Sequence, residues 1–232
     1  MLKAIEKLFI WILHIINWKK IELLCVFIAI MNNQKLSRPP NFLGYLLPNN
    51  ALTISIIAIF TALNFVATYW IQIPIPATGG YINVGDIAVM FTALLFGPII
   101  GGVAGGVGPM MADIFSGPYI IYAPATLIIK GIEGFLIGLI SNPRHYIGRI
   151  SYRDILAVIV GGILIPLGYF IYQAFILRLG VAIALVEMPG NFFQFIIAAV
   201  ISTGLIAASR KNIVNSLPQV FDLIFIPIGP EE

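Results

Sequence analysis

The sequence predicts an all-α integral membrane protein: six core spans preceded by an additional N-terminal apolar segment. Three observations carry this. Of 232 residues, 59% are hydrophobic and only 10% are charged, against roughly 25% charged in a soluble domain. Mean hydropathy is +0.99. Apolar runs near the roughly 20 residues that a spanning helix requires recur along the chain, punctuated by glycine and proline. One polytopic domain fills this length, with no room for a separate soluble one.

Residues 1–50 read as an apolar or interfacial extension. Two runs, Leu8 to Trp18 and Ile21 to Met31, flank Lys19, Lys20 and Glu22, and each is too short to span alone. No small-residue cleavage site follows them, so the pattern is not a signal peptide. Met31 opens a shorter product, and an over-extended start is the alternative reading.

The core is assigned to residues 51–211. The first span covers Ala51 to Trp70, followed by an apolar loop with proline and glycine, Ile71 to Ile82. The second runs from Val84 to the Gly97-Pro98 turn signal and is the shortest. The third covers Pro98 to Phe115, the fourth Ile121 to Ile140, the fifth Asp154 to Leu177 and the sixth Pro189 to Ser209. Residues 212–232 are too short to span and read as a cytoplasmic or interfacial tail.

Basic residues set the expected orientation. Lys35 and Arg38 precede the first core span, Arg144, Arg149 and Arg153 follow the fourth, and Arg210 and Lys211 end the sixth. The opposite loops hold Arg178, beside Glu187. Because lysine and arginine concentrate on the cytoplasmic side, both core termini are expected on the cytoplasmic side of the cell membrane. The loops near Pro74–Asn83, Ser116–Tyr119 and Arg178–Met188 are expected outside, with Trp70, Tyr81, Tyr119 and Tyr122 near the outer boundary.

Four ionisable residues interrupt the apolar block from Gly79 to Ile140: Asp86, Asp113, Lys130 and Glu133. A charge at the centre of a spanning helix costs roughly 2.5–3.5 kcal/mol. They are therefore expected to face one another, a cavity or a ligand. Lys130 and Glu133 stand three residues apart and can pair within one helix. Asn83, Tyr122, Tyr172, Gln173, Asn191 and Gln194 join Asp86, Asp113 and Lys130 toward the outer half, with Glu133 deeper, which points to an outward-facing pocket.

Glycines recur at four-residue spacing, as Gly97, Gly101 and Gly105 and as Gly102 and Gly106, a pattern that permits close helix packing. Catalytic and metal templates do not fit. There is no zinc-protease, nucleophile-elbow or Walker motif, His14 and His145 lie far apart, and the single cysteine, Cys25, excludes an internal disulfide. No catalytic residue, metal site or cofactor is expected, and no basic run points to nucleic acid.

The motifs GGYINVGD (79–86), FGPIIGGVAGG (96–106), ADIFSG (112–117) and YAPATLIIKGIEG (122–134) resemble the substrate-binding S components of energy-coupling-factor (ECF) vitamin transporters, in the branch of riboflavin, hydroxymethylpyrimidine and pyridoxine uptake. The resemblance spans about residues 51–211. It implies a compact six-helix bundle and a substrate-binding membrane subunit that is not an enzyme. Substrate binding would fall to Asn83, Tyr122, Lys130, Tyr172, Gln173, Asn191 and Gln194, with Asp86, Asp113 and Glu133 supporting the pocket or ion-paired. Ala58 and Ala62 match the family's small-residue motif for docking a transmembrane coupling subunit, which works with two ATPases. The implied cargo is hydroxymethylpyrimidine or pyridoxine ahead of riboflavin, since few tryptophans are present to stack a large flavin. Two other readings stay open: a stand-alone ion-coupled carrier or facilitator, and a ligand-free membrane scaffold.

Overall fold

A computed structural model describes residues 41–145 and 150–226. The expectations for residues 1–40, including Lys35 and Arg38, and for Arg149 and the last six residues lie outside the described residues.

The described chain opens with a short hairpin, β1 (Asn41–Phe42) and β2 (Tyr45–Leu46). Helix α1 (Ala51–Trp70) follows, with the Asn50 side chain accepting the Thr53 N–H as an N-cap. A second antiparallel hairpin, β3 (Gln72–Ile75) and β4 (Gly80–Asn83), leads into α2 (Gly85–Phe96). Then come α3 (Pro98–Phe115), a 3-10 turn at Ile120–Tyr122 and α4 (Ala123–Ser141). The fifth span comprises α5 (Tyr152–Gly162), α6 (Leu164–Ile171) and a π-helical turn (Tyr172–Ile176). It is followed by α7 (Val181–Ser216) and the short α8 (Pro218–Asp222).

Five segments are long and apolar enough to cross a membrane, namely α1, α3, the 3-10 turn with α4, α5 through the π turn, and α7; α2 is a shorter apolar helix. The chain is thus an all-α membrane bundle. At 12 residues, α2 extends about 18 Å, well short of a bilayer's hydrocarbon core. Its surroundings explain how so short a helix is accommodated. All of its residues except Ile87 and Phe91 are buried, so it is enclosed by protein rather than matched to lipid. Gly97, at φ +83°, ends it in a conformation that glycine adopts without steric cost.

The glycines of α3 and α4 work within this chain. A Cβ at Gly134 would lie 2.2 Å from the Gly101 carbonyl oxygen, and one at Gly101 would lie 2.7 Å from Ala93 and 2.9 Å from the Gly134 carbonyl oxygen. Only bare backbone fits there.

Four features depart from the sequence reading. The apolar loop after α1 is a hairpin: Ile75 pairs with Gly80, and Gly79 turns the chain at φ +66°. The fifth span is broken at Ile163, where Pro166 has no N–H to offer Gly162. The largest correction concerns the sixth span. Pro189 does not start it; the helix runs through that proline from Val181 to Ser216, so most of the expected Arg178–Met188 loop is helical. Helices in a membrane tolerate such a proline because neighbours re-satisfy the freed backbone. Beyond Lys211 the helix continues, and Val220, Phe221, Ile224 and Phe225 are buried against the core. The Leu46 N–H donates to the Ile224 carbonyl, and the Ile226 N–H to that of Gly44, so this part of the expected tail is stitched to the first hairpin.

Candidate functional site

The hairpin β3–β4 covers a polar cavity lined by Gly80, Tyr81, Asn83, Tyr122, Thr126, Tyr169, Glu187, Asn191 and Gln194. The helical repeat brings these residues together. Glu187, Asn191 and Gln194 stand at i, i+4 and i+7 and share one face of α7, while Tyr122 and Thr126 stand one turn apart at the head of α4. Tyr169 projects from α6, its hydroxyl 3.0 Å from that of Thr126.

The hairpin is tied down on three sides. The Tyr122 hydroxyl donates to the Thr78 carbonyl at 2.7 Å. The Thr78 hydroxyl donates to the Glu187 carboxylate and accepts the Gly80 N–H. On α3, Tyr81 donates to Asp113, and the Gln72 amide donates to the Ser116 hydroxyl at 2.8 Å. Burial and the adjacent Asp113 carboxylate push the Tyr81 hydroxyl above its ordinary pKa, which keeps it a donor. The hairpin meets α7 a second time where the Asn83 N–H donates to Gln194 Oε1 at 2.6 Å. The Asn83 side chain accepts the Gly85 N–H at 2.8 Å, satisfying a free donor at the start of α2. With the hairpin so placed, the cavity measures only about 10 Å³, near the minimum for one water.

Beneath the cavity lies a buried charge network. Lys130 pairs with Asp86, and Asp86 also accepts from the Gln194 amide. This ion pair joins helices α4 and α2, while Glu133, one turn along α4, stays within electrostatic range of Lys130. Glu133 is fully buried, and neither of its carboxyl oxygens has a hydrogen-bond partner among the described residues.

Toward the other ends of α2 and α7, Arg210 makes a two-pronged pair with Asp154, both contacts 2.9 Å, and donates to the Leu94 carbonyl at 2.9 Å. Asp154 also accepts the Ser151 N–H at the start of α5. One buried guanidinium therefore joins α2, α5 and α7.

Of the residues expected to bind substrate, Asn83, Tyr122, Asn191 and Gln194 line the cavity. Lys130, Tyr172 and Gln173 do not: Lys130 is held below by Asp86, the Tyr172 hydroxyl donates to the Ile121 carbonyl, and the Gln173 amide donates to the Tyr122 hydroxyl at 3.4 Å. Asp86 and Asp113 each hold a lining residue, while Glu133 lies deeper. Ala58 and Ala62 are exposed on the outer face of α1, among Ile54, Ile59 and Leu63. The sequence reading did not place Gly80, Tyr81, Thr126, Tyr169 or Glu187 in the pocket. The four-residue step from Glu187 to Asn191 was the available signal for the last, obscured by taking Pro189 as a helix start.

Residues 49–211 match the model of a family described as "ECF-type riboflavin transporter, S component". A Pyrococcus woesei protein described as "uncharacterized protein in gap 3'region" is 40% identical over 148 residues, 64% of this chain and 95% of that protein. A Lactococcus lactis protein named "thiamine precursor transporter HmpT" is 30% identical over 170 residues, 70% of this chain and 95% of that protein.

Proposed function

The chain belongs to the family of ECF-type riboflavin transporter S components, and from that premise we propose that it captures a small vitamin or vitamin precursor in the cavity beneath the β3–β4 hairpin. The cargo is hydroxymethylpyrimidine or pyridoxine in preference to riboflavin. The observation that carries this reading is the cavity itself, a buried group of tyrosines, amides and one carboxylate inside an apolar bundle. Polar groups are expensive at membrane depth and are kept there for function.

Two facts favour a small cargo. Trp70, the one tryptophan among the described residues, is 80% exposed and stacks on nothing in the cavity. The Lactococcus relative is named for a thiamine precursor. Ligand entry requires the hairpin to lift, since about 10 Å³ holds no heteroaromatic ring. Asn83, Tyr122, Asn191 and Gln194 contact the ligand, whereas Lys130, Tyr172, Gln173, Asp86 and Asp113 hold those residues or their helices in place.

Transport uses a transmembrane coupling subunit and two ATPases. The coupling subunit docks on the exposed Ala58 and Ala62 face of α1, and both core termini lie on the cytoplasmic side of the cell membrane. Purified protein titrated with thiamine precursors, B6 vitamers and flavins tests the binding role; absence of any tight binder refutes it. Ala58→Trp tests the docking face. Assembly with the coupling subunit should be lost while ligand binding persists, and unchanged assembly counts against that face.

A further inference from the structure

Glu187 is the one formally charged residue of the cavity lining, which contains no lysine, arginine or histidine. It is 2% exposed. Among the described residues its carboxylate accepts from two neutral donors, the Thr78 hydroxyl and the Asn191 amide, the latter at 3.3 Å. The ion pairs among the described residues are Lys130 with Asp86 and Arg210 with Asp154, and Glu187 belongs to neither. The hairpin backbone closes directly over it: a Cβ at Gly80 would lie 2.7 Å from Glu187 Oε2. The cavity therefore holds a buried acid that pairs with no cation among the described residues.

We infer that Glu187 is the specificity-determining residue of this cavity, selecting a small flat heteroaromatic with a cationic or amidine-type N–H edge over one presenting carbonyl oxygens. This rests on the vitamin-binding reading and narrows it. A carboxyl group meets an amidine edge with two matched hydrogen bonds, and meets a cationic ring nitrogen with a charge-assisted one. A carbonyl edge sets oxygen against oxygen and leaves buried groups unpaired, the arrangement that discriminates most strongly between otherwise similar ligands. The neighbouring Tyr122 and Tyr169 rings supply flat apolar surface for the ring faces.

Equilibrium binding to the full chain in lipid nanodiscs provides the test. The probes are a hydroxymethyl aminopyrimidine, its counterpart with a carbonyl replacing the amino group, pyridoxine and riboflavin. Wild type should bind the amino compound at least about 100-fold tighter than the carbonyl compound, the scale expected when a buried polar group loses its partner. Glu187→Gln should shrink that ratio to below about 10-fold. Equal affinity of wild type for the two pyrimidines overturns the inference and needs no variant. Preference unchanged in Glu187→Gln overturns it as well. Tight flavin binding indifferent to Glu187→Gln also overturns it, while leaving the vitamin-binding reading standing. Failure of all four probes to bind overturns both.

Discussion

Lys130→Met should destabilise the bundle through Asp86, and the effect should be largely reversed by a second change at Asp86. Both side chains are fully buried and ion-paired. Removing the ammonium leaves a buried carboxylate whose remaining assigned partner is the Gln194 amide. Breaking a buried pair from one side costs about 3–5 kcal/mol. At roughly 2–4 °C per kcal/mol for chains of this length, the midpoint should fall by about 6–20 °C. Asp86→Leu combined with Lys130→Met removes both charges and should recover most of the loss, because replacing a whole buried pair by apolar groups is often neutral. Thermal unfolding in nanodiscs, read alongside ligand binding, measures the cycle. A loss below about 1 kcal/mol in the single variant, or a double variant worse than the single, would refute the coupling. Recovered stability with binding abolished would instead place Lys130 against the ligand.

Three further outcomes are expected. Asp154→Asn should cost about 3–5 kcal/mol by breaking its two-pronged buried pair with Arg210, and a cycle with Arg210→Met should show a coupling of at least about 1 kcal/mol; additive losses would show the pair to be uncoupled. Gly134→Ala drives a Cβ to 2.2 Å from the Gly101 carbonyl oxygen and should cost about 1–3 kcal/mol, whereas Gly204→Ala, with nothing within 4 Å, should be neutral or stabilising by up to about 1 kcal/mol; similar melting of the two variants would contradict the packing account. Thr78→Val removes the hydroxyl's bonds to Glu187 and the Gly80 N–H, Tyr122→Phe removes the bond to the Thr78 carbonyl, each bond is worth about 0.5–1.5 kcal/mol, and amide exchange over residues 77–80 should quicken in both; unchanged exchange would mean that these bonds do not hold the hairpin.

The helices legible in the sequence are those whose signals are local. Ala51–Trp70 and Pro98–Phe115 have the limits that hydropathy and the Gly97-Pro98 break predict. The four-residue glycine spacing predicts the close approach of α3 and α4. Buried charges correctly point to mutual pairing; spacing within α4 offers Glu133 as a possible partner of Lys130, and the fold adds Asp86 from α2. Sequence distance says little about which helix faces which, and an ion pair forms wherever two buried charges first meet.

The cavity divides along the same line. Asn83, Tyr122, Asn191 and Gln194 stand out as polar residues at membrane depth, a one-dimensional signal. Tyr169 and Thr126 do not, because a tyrosine or threonine in an apolar helix is equally at home in the core. Glu187 was hidden by Pro189, whose helix-breaking tendency in water misleads inside a bundle that satisfies the backbone by other means.

Composition and hydropathy by themselves determined that this chain lies in a membrane as a helical bundle, because the transfer free energy of an apolar run depends only on the residues in it. Its glycine-rich motifs determined the family it resembles. Tertiary structure alone decided that a hairpin covers the cavity, that α2 is enclosed by protein, and that Glu187 meets Thr78 and Asn191 beneath the hairpin backbone. Glu187 and Thr78 stand 109 positions apart, and only packing in three dimensions brings them within reach.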